Sequence, residues 1–325
     1  MTVRALGAVV LAAFTSLAMP ISAVGQTYPS KPIRIVVPFT PGGSNDVLAR
    51  AIGEKLSASL GQPVVVDNKP GASGNIGSDS VAKSPADGYT LLIAANNVMS
   101  MNPALFAKMP FDSVKDFEPI TLLGVVPVVL AINPEVKATS VKELVAVAKA
   151  TPGGLKYASS GKGSPQHLSA ELFKAMTGTD IVHIPYKGAA PAVTDLLGGH
   201  VEMQFGAINS LLPHVKAGRL RALGVAGAQR VSALPDVPTI AEAGVAGYES
   251  DIWIALVAPA KTPAAIVKLL NAEVRKALAA PDVQQKLAEQ AIEPRTSSPD
   301  ALAKLVSDDL KRWSRVVKDA GIQPE

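Results

Sequence analysis

The chain of 325 residues contains no cysteine. A disulfide framework, a cysteine-ligated zinc or iron–sulfur centre, a catalytic thiol and a cysteine-linked lipid anchor are therefore excluded. Aromatic residues make up only 4% of the sequence, and the basic residues behind its net charge of +4 are scattered. Nucleic-acid binders usually cluster basic and aromatic residues, so we expect no nucleic-acid partner. Charged residues are few (18%) and hydrophobic residues many (48%), which indicates a globular protein long enough for two domains.

The first 25 residues have the pattern of a secretory signal peptide. Arg4 gives a positively charged start, and an apolar run extends from Ala5 to Met19. Small residues at Ala23 and Gly25 offer a cleavage site. The run is shorter than the roughly 20 residues of a membrane-spanning helix. We therefore predict that the protein is exported to the periplasm and cleaved near Gly25.

From residue 28 onward, short apolar runs alternate with loops and with segments of helical periodicity. Runs 33–38, 64–66 and 89–94 predict strands, and apolar residues spaced three and four apart in 45–60 predict a helix. Repeated strand–loop–helix units indicate an α/β protein with mostly parallel sheets flanked by helices. The pattern restarts near Ile132 with enough strands for a second sheet, which indicates a domain boundary.

Ligands of open α/β sheets bind beyond the carboxyl ends of the strands, so the loops that follow strands are candidate sites. Two of these loops, 38–46 (PFTPGGSND) and 159–167 (SSGKGSPQH), carry glycines and lead into helices. Glycine allows the backbone to approach a ligand closely, and a helix N-terminus carries partial positive charge. Both loops therefore suit a carboxylate or a phosphate, although a simple tight turn would show the same residues.

Helix capping is the alternative role of several polar residues in these loops. Ser44 or Asn45 would cap the helix after the first loop. Ser164, followed by Pro165, would cap the helix after the second, and this role can coexist with ligand contact. His167 is expected near the mouth of the site, where a helix start favours its neutral form and a hydrogen-bonding role.

Two further loops give weaker signals. Asn96 and Asn97 supply amide groups for a ligand or merely cap a turn. Tyr186 lines a cleft or packs on the surface, and Lys187 attracts anions or is simply solvated.

Catalytic and cofactor motifs are absent from the sequence. It has no nucleophile elbow, no complete phosphate-binding loop and no metal-ligand spacing of its histidines. We therefore predict no cofactor, no metal and no enzyme activity. A hydrolase that uses Ser164 and His167 is the alternative.

Seven short stretches together carry a family resemblance. They are 28–33 (YPSKPI), 38–46 (PFTPGGSND), 70–74 (PGASG), 85–91 (PADGYTL), 160–168 (SGKGSPQHL), 184–188 (IPYKG) and 234–239 (LPDVPT). Through them the sequence resembles the Bug/TctC family of extracytoplasmic solute receptors, which serve tripartite tricarboxylate transporters.

The resemblance implies the two-lobed Venus flytrap fold of the type II periplasmic-binding class. Lobe 1 would comprise 28–126 and 226–325, and lobe 2 would comprise 127–225, with crossings near 126–130 and 223–225. The resemblance also implies a monomer that holds a small organic mono- or dicarboxylate between the lobes and delivers it to a transporter permease. Presentation of the closed form to a periplasmic sensor domain is the alternative.

The resemblance further implies the residues that contact the ligand, on strand-end loops of both lobes. They are Phe39, Thr40, Gly42, Gly43, Asn45, Asp46, Asn96, Asn97, Ser159, Ser160, Gly163, Ser164, His167, Tyr186, Lys187 and Gly206. Gly206 stands where family members often carry an acidic residue; if that acid binds an ammonium group, amino-acid ligands are disfavoured. Asn96 and Asn97 occupy a loop where serine, threonine and histidine are frequent, so specificity at the far end of the ligand is expected to differ.

Overall fold

A computed structural model of the chain describes residues 28–319 and 321–324. The predicted signal peptide, 1–25, lies outside the described residues. Within them, no helix combines the length and the apolar character needed to cross a bilayer.

Strands and helices alternate along most of the described chain. In chain order the strands are β1 (Ile33–Val37), β2 (Val64–Asn68), β3 (Thr90–Ala95), β4 (Phe117–Val126), β5 (Val128–Ile132), β6 (Lys156–Ser159), β7 (Val182–Pro185), β8 (Met203–Ala207), β9 (Arg221–Val225), β10 (Ile252–Pro259) and β11 (Glu293–Pro294). The α-helices are α1 (Ser44–Leu60), α2 (Asn75–Ala82), α3 (Asn102–Leu105), α4 (Val141–Ala150), α5 (Pro165–Thr177), α6 (Ala189–Leu197), α7 (Ile208–Lys216), α8 (Ala264–Ala279), α9 (Pro281–Glu289) and α10 (Pro299–Asp319).

The strands form two sheets, one in each lobe. The first has the order β11-β4-β10-β3-β1-β2 and the second the order β7-β6-β8-β5-β9. Neighbours that are linked through helices pair in parallel, namely β1 with β2 and β3, and β6 with β7 and β8. The strands next to the lobe crossings, β5 and β10, pair antiparallel with their neighbours. The two-lobed α/β fold is confirmed, and the parallel arrangement holds for the helix-linked strands.

The first sheet is covered by helices on both faces, which explains why β1 is an almost continuous apolar run. Ile35 faces α1, where Leu48, Ile52 and Leu56 recur every four residues and are fully buried. Val36 faces the opposite side and shares a core cluster with α10. Gly61 ends α1 in the left-handed conformation, with a φ of 67°.

The chain crosses between the lobes first at Pro127, between β4 and β5. The second crossing lies at Ser250–Asp251, before β10, and not near 223–225. After β9 the chain stays on the second lobe, because Ile240, Val245 and Tyr248 pack in its core. The segment 226–250 therefore belongs with lobe 2, and the sequence-based assignment of it to lobe 1 was wrong.

Candidate ligand-binding cleft

A cavity of about 350 Å³ lies between the lobes, at the carboxyl ends of β1, β3 and β6. Strand-end loops of both lobes meet there, as expected for an α/β fold. Lobe 1 contributes Phe39, Asn45, Ser73, Ala95, Asn97 and Ile252, and lobe 2 contributes Ser160, Gly161, Lys162, Gly163, Ser164, Pro165 and Gln166. Two larger grooves, of about 520 and 570 Å³, are lined by helices and connecting segments around Met176 rather than by these loops.

The loop before α1 leaves the first turn of that helix without a side-chain cap. Helix α1 begins at Ser44, and its N-cap residue is Gly43. Neither Ser44 nor Asn45 is the cap, contrary to the sequence-based alternative. The amide groups of an uncapped first turn are open to an external acceptor.

Asp46 fixes this loop from behind. Its Oδ2 accepts hydrogen bonds from the Gly42 amide and from Arg50 Nε, both at 3.0 Å, and its Oδ1 accepts one from Asn68 Nδ2 at 3.0 Å. Burial opposes ionisation of Asp46, but the hydrogen bonds from Arg50, Gly42 and Asn68 outweigh it and hold its pKa below the ordinary value. Asp46 is thus an ionised group that shapes the loop, and it does not line the cavity.

The loop before α5 is capped, as predicted. Ser164 is the N-cap, its Oγ accepts from the His167 amide at 3.3 Å, and Pro165 is the first helical residue. The Gly163 amide donates to His167 Nδ1 at 3.1 Å and is therefore not free to bind an anion. Ser160 Oγ donates to Gln166 Oε1 at 2.9 Å, and both of these side chains line the cavity.

His167 lies behind its loop and not at the mouth of the site, because only 4% of it is exposed. Its ring stacks on that of His183, with centroids 4.0 Å apart and an interplanar angle of 16°. His183 Nε2 lies 2.6 Å from Ser159 Oγ. Burial lowers the pKa of His167 to about 3 and that of His183 to about 4, with the charge of Lys162 contributing to both. Both rings are therefore neutral at neutral pH.

The hydrolase alternative is not supported by this geometry. Ser164 Oγ is engaged by the backbone amide of His167, and the Nδ1 of that histidine accepts from Gly163. Ser159 does lie within hydrogen-bond distance of His183, but it is completely buried. A nucleophile must be reachable by its substrate, so neither pair forms a catalytic dyad.

The weaker loops separate into residues at the cleft and residues away from it. Asn97 begins a five-residue π-helical turn, lines the cavity and donates from Nδ2 to the Ser73 carbonyl at 2.9 Å. Asn96 is fully buried and donates to the Asp251 carbonyl at 2.8 Å, beside the second crossing. The segment after β3 is therefore helical, not a loop.

Three other expected contacts also lie outside the cavity lining. Tyr186 donates to Asp195 Oδ2 at 2.6 Å, and Lys187 is exposed. Gly206 is buried, and a Cβ there would lie 2.6 Å from Leu211 Cδ1. A side chain at position 206 would therefore require the Leu211 side chain to shift.

The cavity lining contains six of the sixteen residues expected from the sequence: Phe39, Asn45, Asn97, Ser160, Gly163 and Ser164. It does not contain Thr40, Gly42, Gly43, Asp46, Asn96, Ser159, His167, Tyr186, Lys187 or Gly206. The lining also contains seven residues that are not among the sixteen: Ser73, Ala95, Gly161, Lys162, Pro165, Gln166 and Ile252. Most of these belong to the loops 70–74 and 159–167 that the sequence analysis quotes. Their position in those loops was therefore the sequence feature that could have identified them.

The electrostatic character of the cavity is positive. Lys162 is the charged side chain among the described lining residues, and no acidic side chain lines the cavity with it. Helices α1 and α5 both begin at the cavity, with Asn45 and Ser164 in its lining, and their N-termini add partial positive charge. Asn45 Oδ1 is buried and accepts no hydrogen bond from the described residues. The cleft is thus suited to an anion that also offers a donor or a bound water.

Two α/β lobes with strand-end loops that meet at a polar cleft define the class of two-lobed periplasmic solute-binding proteins. The chain belongs to the tripartite tricarboxylate transporter family receptors (TctC), whose family model matches residues 48–322. Members of this family are periplasmic substrate-binding receptors and not enzymes. The resemblance drawn from the sequence is thereby confirmed.

Relatives match over nearly the whole chain. Protein BugT of Bordetella pertussis is 42% identical over 310 residues, which cover 95% of this chain and 94% of BugT. The structure of R. palustris Rpa4515 with adipate is 41% identical, covers 92% of this chain and 100% of its own, and has a TM-score of 0.82. The structure of MatC (Rpa3494) from Rhodopseudomonas palustris with bound malate is 32% identical, covers 89% and 100%, and has a TM-score of 0.78.

Proposed function

We propose that this receptor binds a small aliphatic dicarboxylate between its lobes and delivers it to the permease of a tripartite tricarboxylate transporter. The observation that carries the proposal is a cleft where two helices begin, together with Lys162 and without an acidic side chain in its described lining. The adipate and malate of the two related structures are both dicarboxylates. A cavity of about 350 Å³ suits a ligand of that size.

One carboxylate would bind at the start of α1. The first turn of this helix has no side-chain cap, whereas in α5 the corresponding amide, that of His167, is already bonded to Ser164. A carboxylate there would accept from free amide groups and interact favourably with the helix dipole. Backbone amides recognise a carboxylate without regard to the rest of the ligand.

The other carboxylate would bind near Lys162, on the lobe that faces α1 across the cleft. A lysine ammonium is a point charge on a flexible stem, so it can serve diacids of different lengths. Ser160 and Gln166 lie in the same loop and add hydrogen-bonding groups. Lys162 therefore distinguishes a diacid from a monoacid.

Ligand binding would drive closure of the lobes by population shift. A diacid that contacts both loops at once is bound fully only when the lobes are together, so it stabilises the closed form. Closure also excludes water, which strengthens the contacts of the anion with amides and with Lys162. The closed form is then the one that the permease receives.

The test is calorimetric titration of purified protein that has been refolded to remove bound ligand. Adipate, malate and succinate are compared with the monoacids hexanoate and butyrate, for the wild type and for Lys162→Met. Loss of a charged hydrogen bond is worth about 1.5–3 kcal/mol, so diacid affinity should fall by about 10- to 150-fold and monoacid affinity should change little. The matched control is Lys149→Met on α4, an exposed lysine of the same lobe that does not line the cavity. If the wild type binds none of these acids, or if both variants bind diacids equally well, the proposal is wrong.

Export to the periplasm with cleavage near Gly25 is part of the proposal. It rests on the N-terminal sequence pattern and on the periplasmic location of the family. Mass spectrometry of the protein released by osmotic shock would give the mature N-terminus. An uncleaved chain that remains with the membrane fraction would contradict it.

A further inference from the structure

The two stacked histidines, His167 and His183, take no part in the proposed binding step. They lie behind the loop of lobe 2 that carries Gly161, Lys162 and Gly163, all three of which line the cleft. We propose that His167 and His183 are positioning residues that hold this loop in its ligand-binding conformation by hydrogen bonding as neutral rings. The inference rests on the proposed function, because it assumes that the loop binds the ligand.

His167 holds one glycine of the loop directly. The Gly163 amide donates to His167 Nδ1 at 3.1 Å, and Gly163 is buried with a φ of 74°. Because a peptide unit is planar, fixing the Gly163 amide also fixes the direction of the Lys162 carbonyl. An acceptor at Nδ1 requires the proton on Nε2, which lies 4.0 Å from Glu171 Oε1.

His183 holds the other glycine through a serine. Its Nε2 lies 2.6 Å from Ser159 Oγ. The same Oγ accepts from the Gly161 amide at 3.2 Å and lies 3.0 Å from the Gly161 carbonyl oxygen. Gly161 has a φ of 139°, a conformation that side-chain-bearing residues rarely adopt. Both backbone groups of this residue are thus tied to one buried hydroxyl.

The remaining contacts keep the two rings in place. Tyr157 stacks on His183 with centroids 4.9 Å apart, and its hydroxyl donates to Glu171 Oε1 at 2.5 Å. A Cβ at Gly163 would lie only 3.2 Å from Leu105 Cδ1 of the other lobe. The loop is therefore held by hydrogen bonds on the side away from the cleft and packs closely against the other lobe. A small rotation of one of its peptide units would change which backbone groups face the ligand.

The two histidines use different ring nitrogens, and this difference supplies a sharp test. Asparagine places its amide oxygen near the position of Nδ1, where Gly163 needs an acceptor. Glutamine places its amide group near the position of Nε2, where its nitrogen can donate to Ser159 Oγ, whose own proton is donated to the Gly161 carbonyl. His167→Asn should keep diacid affinity within about threefold of the wild type, whereas His167→Gln and His167→Leu should weaken it by about tenfold or more. The reason is that a loop with an unsatisfied buried amide spends less time in the competent conformation, and affinity falls with that fraction. The pattern should reverse at the other ring, with His183→Gln tolerated and His183→Asn not.

A control separates positioning from general destabilisation. Leu144 is fully buried in the core of the same lobe and makes no contact with the loop's hydrogen bonds, so Leu144→Ala should lower the melting temperature without changing diacid affinity. The affinity of each histidine variant is read against its melting temperature. Equal losses for the Asn, Gln and Leu variants at position 167 would overturn the proposal, because filled volume alone would then matter.

Hydrogen exchange tests the same inference without any ligand. Exchange of the Gly163 amide, followed by NMR, should be protected in the wild type and in His167→Asn and at least tenfold faster in His167→Leu. The ring-nitrogen shifts of His167 should show the proton on Nε2. Protection that is unchanged in His167→Leu would overturn the inference even if diacids bind, and failure of diacids to bind to a wild type with normal protection would instead refute the proposed function.

Discussion

Asp251 offers a test of how the lobe crossing responds to pH. It lies at the second crossing, immediately before β10, and the Val128 amide of the first crossing donates a hydrogen bond to its carboxylate. A Cβ at Gly227 would lie 2.3 Å from Asp251 Oδ2, so the carboxylate is packed tightly against backbone. Asp251 Oδ1 accepts no hydrogen bond from the described residues.

Burial is the largest cause that raises the pKa of Asp251, from an ordinary value of 3.8 to about 7. The charges of Glu249 and Glu293 raise it further, while the Val128 amide and the charge of Arg295 lower it. A folded-state pKa above the unfolded one gives stability that is fully present below pH 3.8 and is lost as the pH rises through 7. At about 1.4 kcal/mol per pH unit, this carboxyl accounts for a loss of about 4 kcal/mol between pH 4 and pH 8.

Asp251→Asn removes the titrating group and keeps an acceptor for the Val128 amide. We expect the free energy of unfolding of the variant minus that of the wild type to be about 3 kcal/mol larger at pH 8 than at pH 4.5, because only the wild type loses stability over this range. Taking the difference between two pH values cancels any constant cost of the amide. It also cancels the titration of His167 and His183, which both proteins share.

The assay is urea unfolding of both proteins at the two pH values, followed by circular dichroism. Equal m-values would show that the comparison concerns stability and not the extent of unfolding. A pH effect that differs by less than about 0.5 kcal/mol between wild type and variant would refute the reasoning, since the carboxyl would then titrate alike in the folded and unfolded chain.

Three further changes test other parts of the structure. Gly154 has a φ of 75°, and a Cβ there would lie 1.8 Å from the Asp180 carbonyl oxygen, so Gly154→Ala should lower the melting temperature markedly. In the control, Gly153→Ala, the Cβ has open space around it, and the free energy of unfolding should fall by only about 1 kcal/mol. Asp46→Leu should weaken diacid binding measured by calorimetry while Asp46→Asn retains it, because only the amide can accept from Gly42. The pKa values of His167 and His183 are depressed to about 3 and 4, so the stability that these neutral rings contribute is lost as the pH falls below 6.5. His167→Asn should therefore make the melting temperature depend less on pH between pH 6.5 and pH 4.5. An unchanged dependence would contradict this.

Local patterns in the sequence predicted the elements that local forces decide. Helix α1 follows from the four-residue spacing of Leu48, Ile52 and Leu56, and the start of α5 follows from Ser164 and Pro165. These signals lie within a few residues of the structure that they specify.

Long-range contacts decide what the sequence could not show. The segment 226–250 has no strand or helix periodicity, and its place in lobe 2 depends on contacts such as the hydrogen bond from the Tyr248 hydroxyl to the Ser169 carbonyl at 2.8 Å. His183 reaches Ser159 only because β6 and β7 pair in parallel, with Tyr157 opposite His183. A shift of that register by one residue would turn His183 to the other face of the sheet.

The two loops that face each other across the cleft share one local arrangement. Asp46 and His167 are each the third residue of a helix, and each accepts a hydrogen bond from the amide four residues earlier, that of Gly42 or Gly163. Glu143 does the same for Thr139 at the start of α4, which lines no part of the cleft. The arrangement is therefore a general way of ordering a helix start.

The helix starts of α1 and α5 suit an anion because the acceptor groups that order them add no unbalanced negative charge. Asp46 is ionised, but Arg50 lies 3.0 Å from it, so its negative charge is balanced behind the loop. His167 accepts its hydrogen bond as a neutral ring, so it presents no charge to the cleft and draws none from Lys162. Both loops are thus held by acceptors that add no unbalanced negative charge beside the helix N-termini, whose partial positive charge favours an anion. Replacement of His167 by an acidic residue would keep an acceptor for Gly163 but place a negative charge behind Lys162, and we expect His167→Asp to weaken diacid binding in a calorimetric titration in which His167→Asn does not.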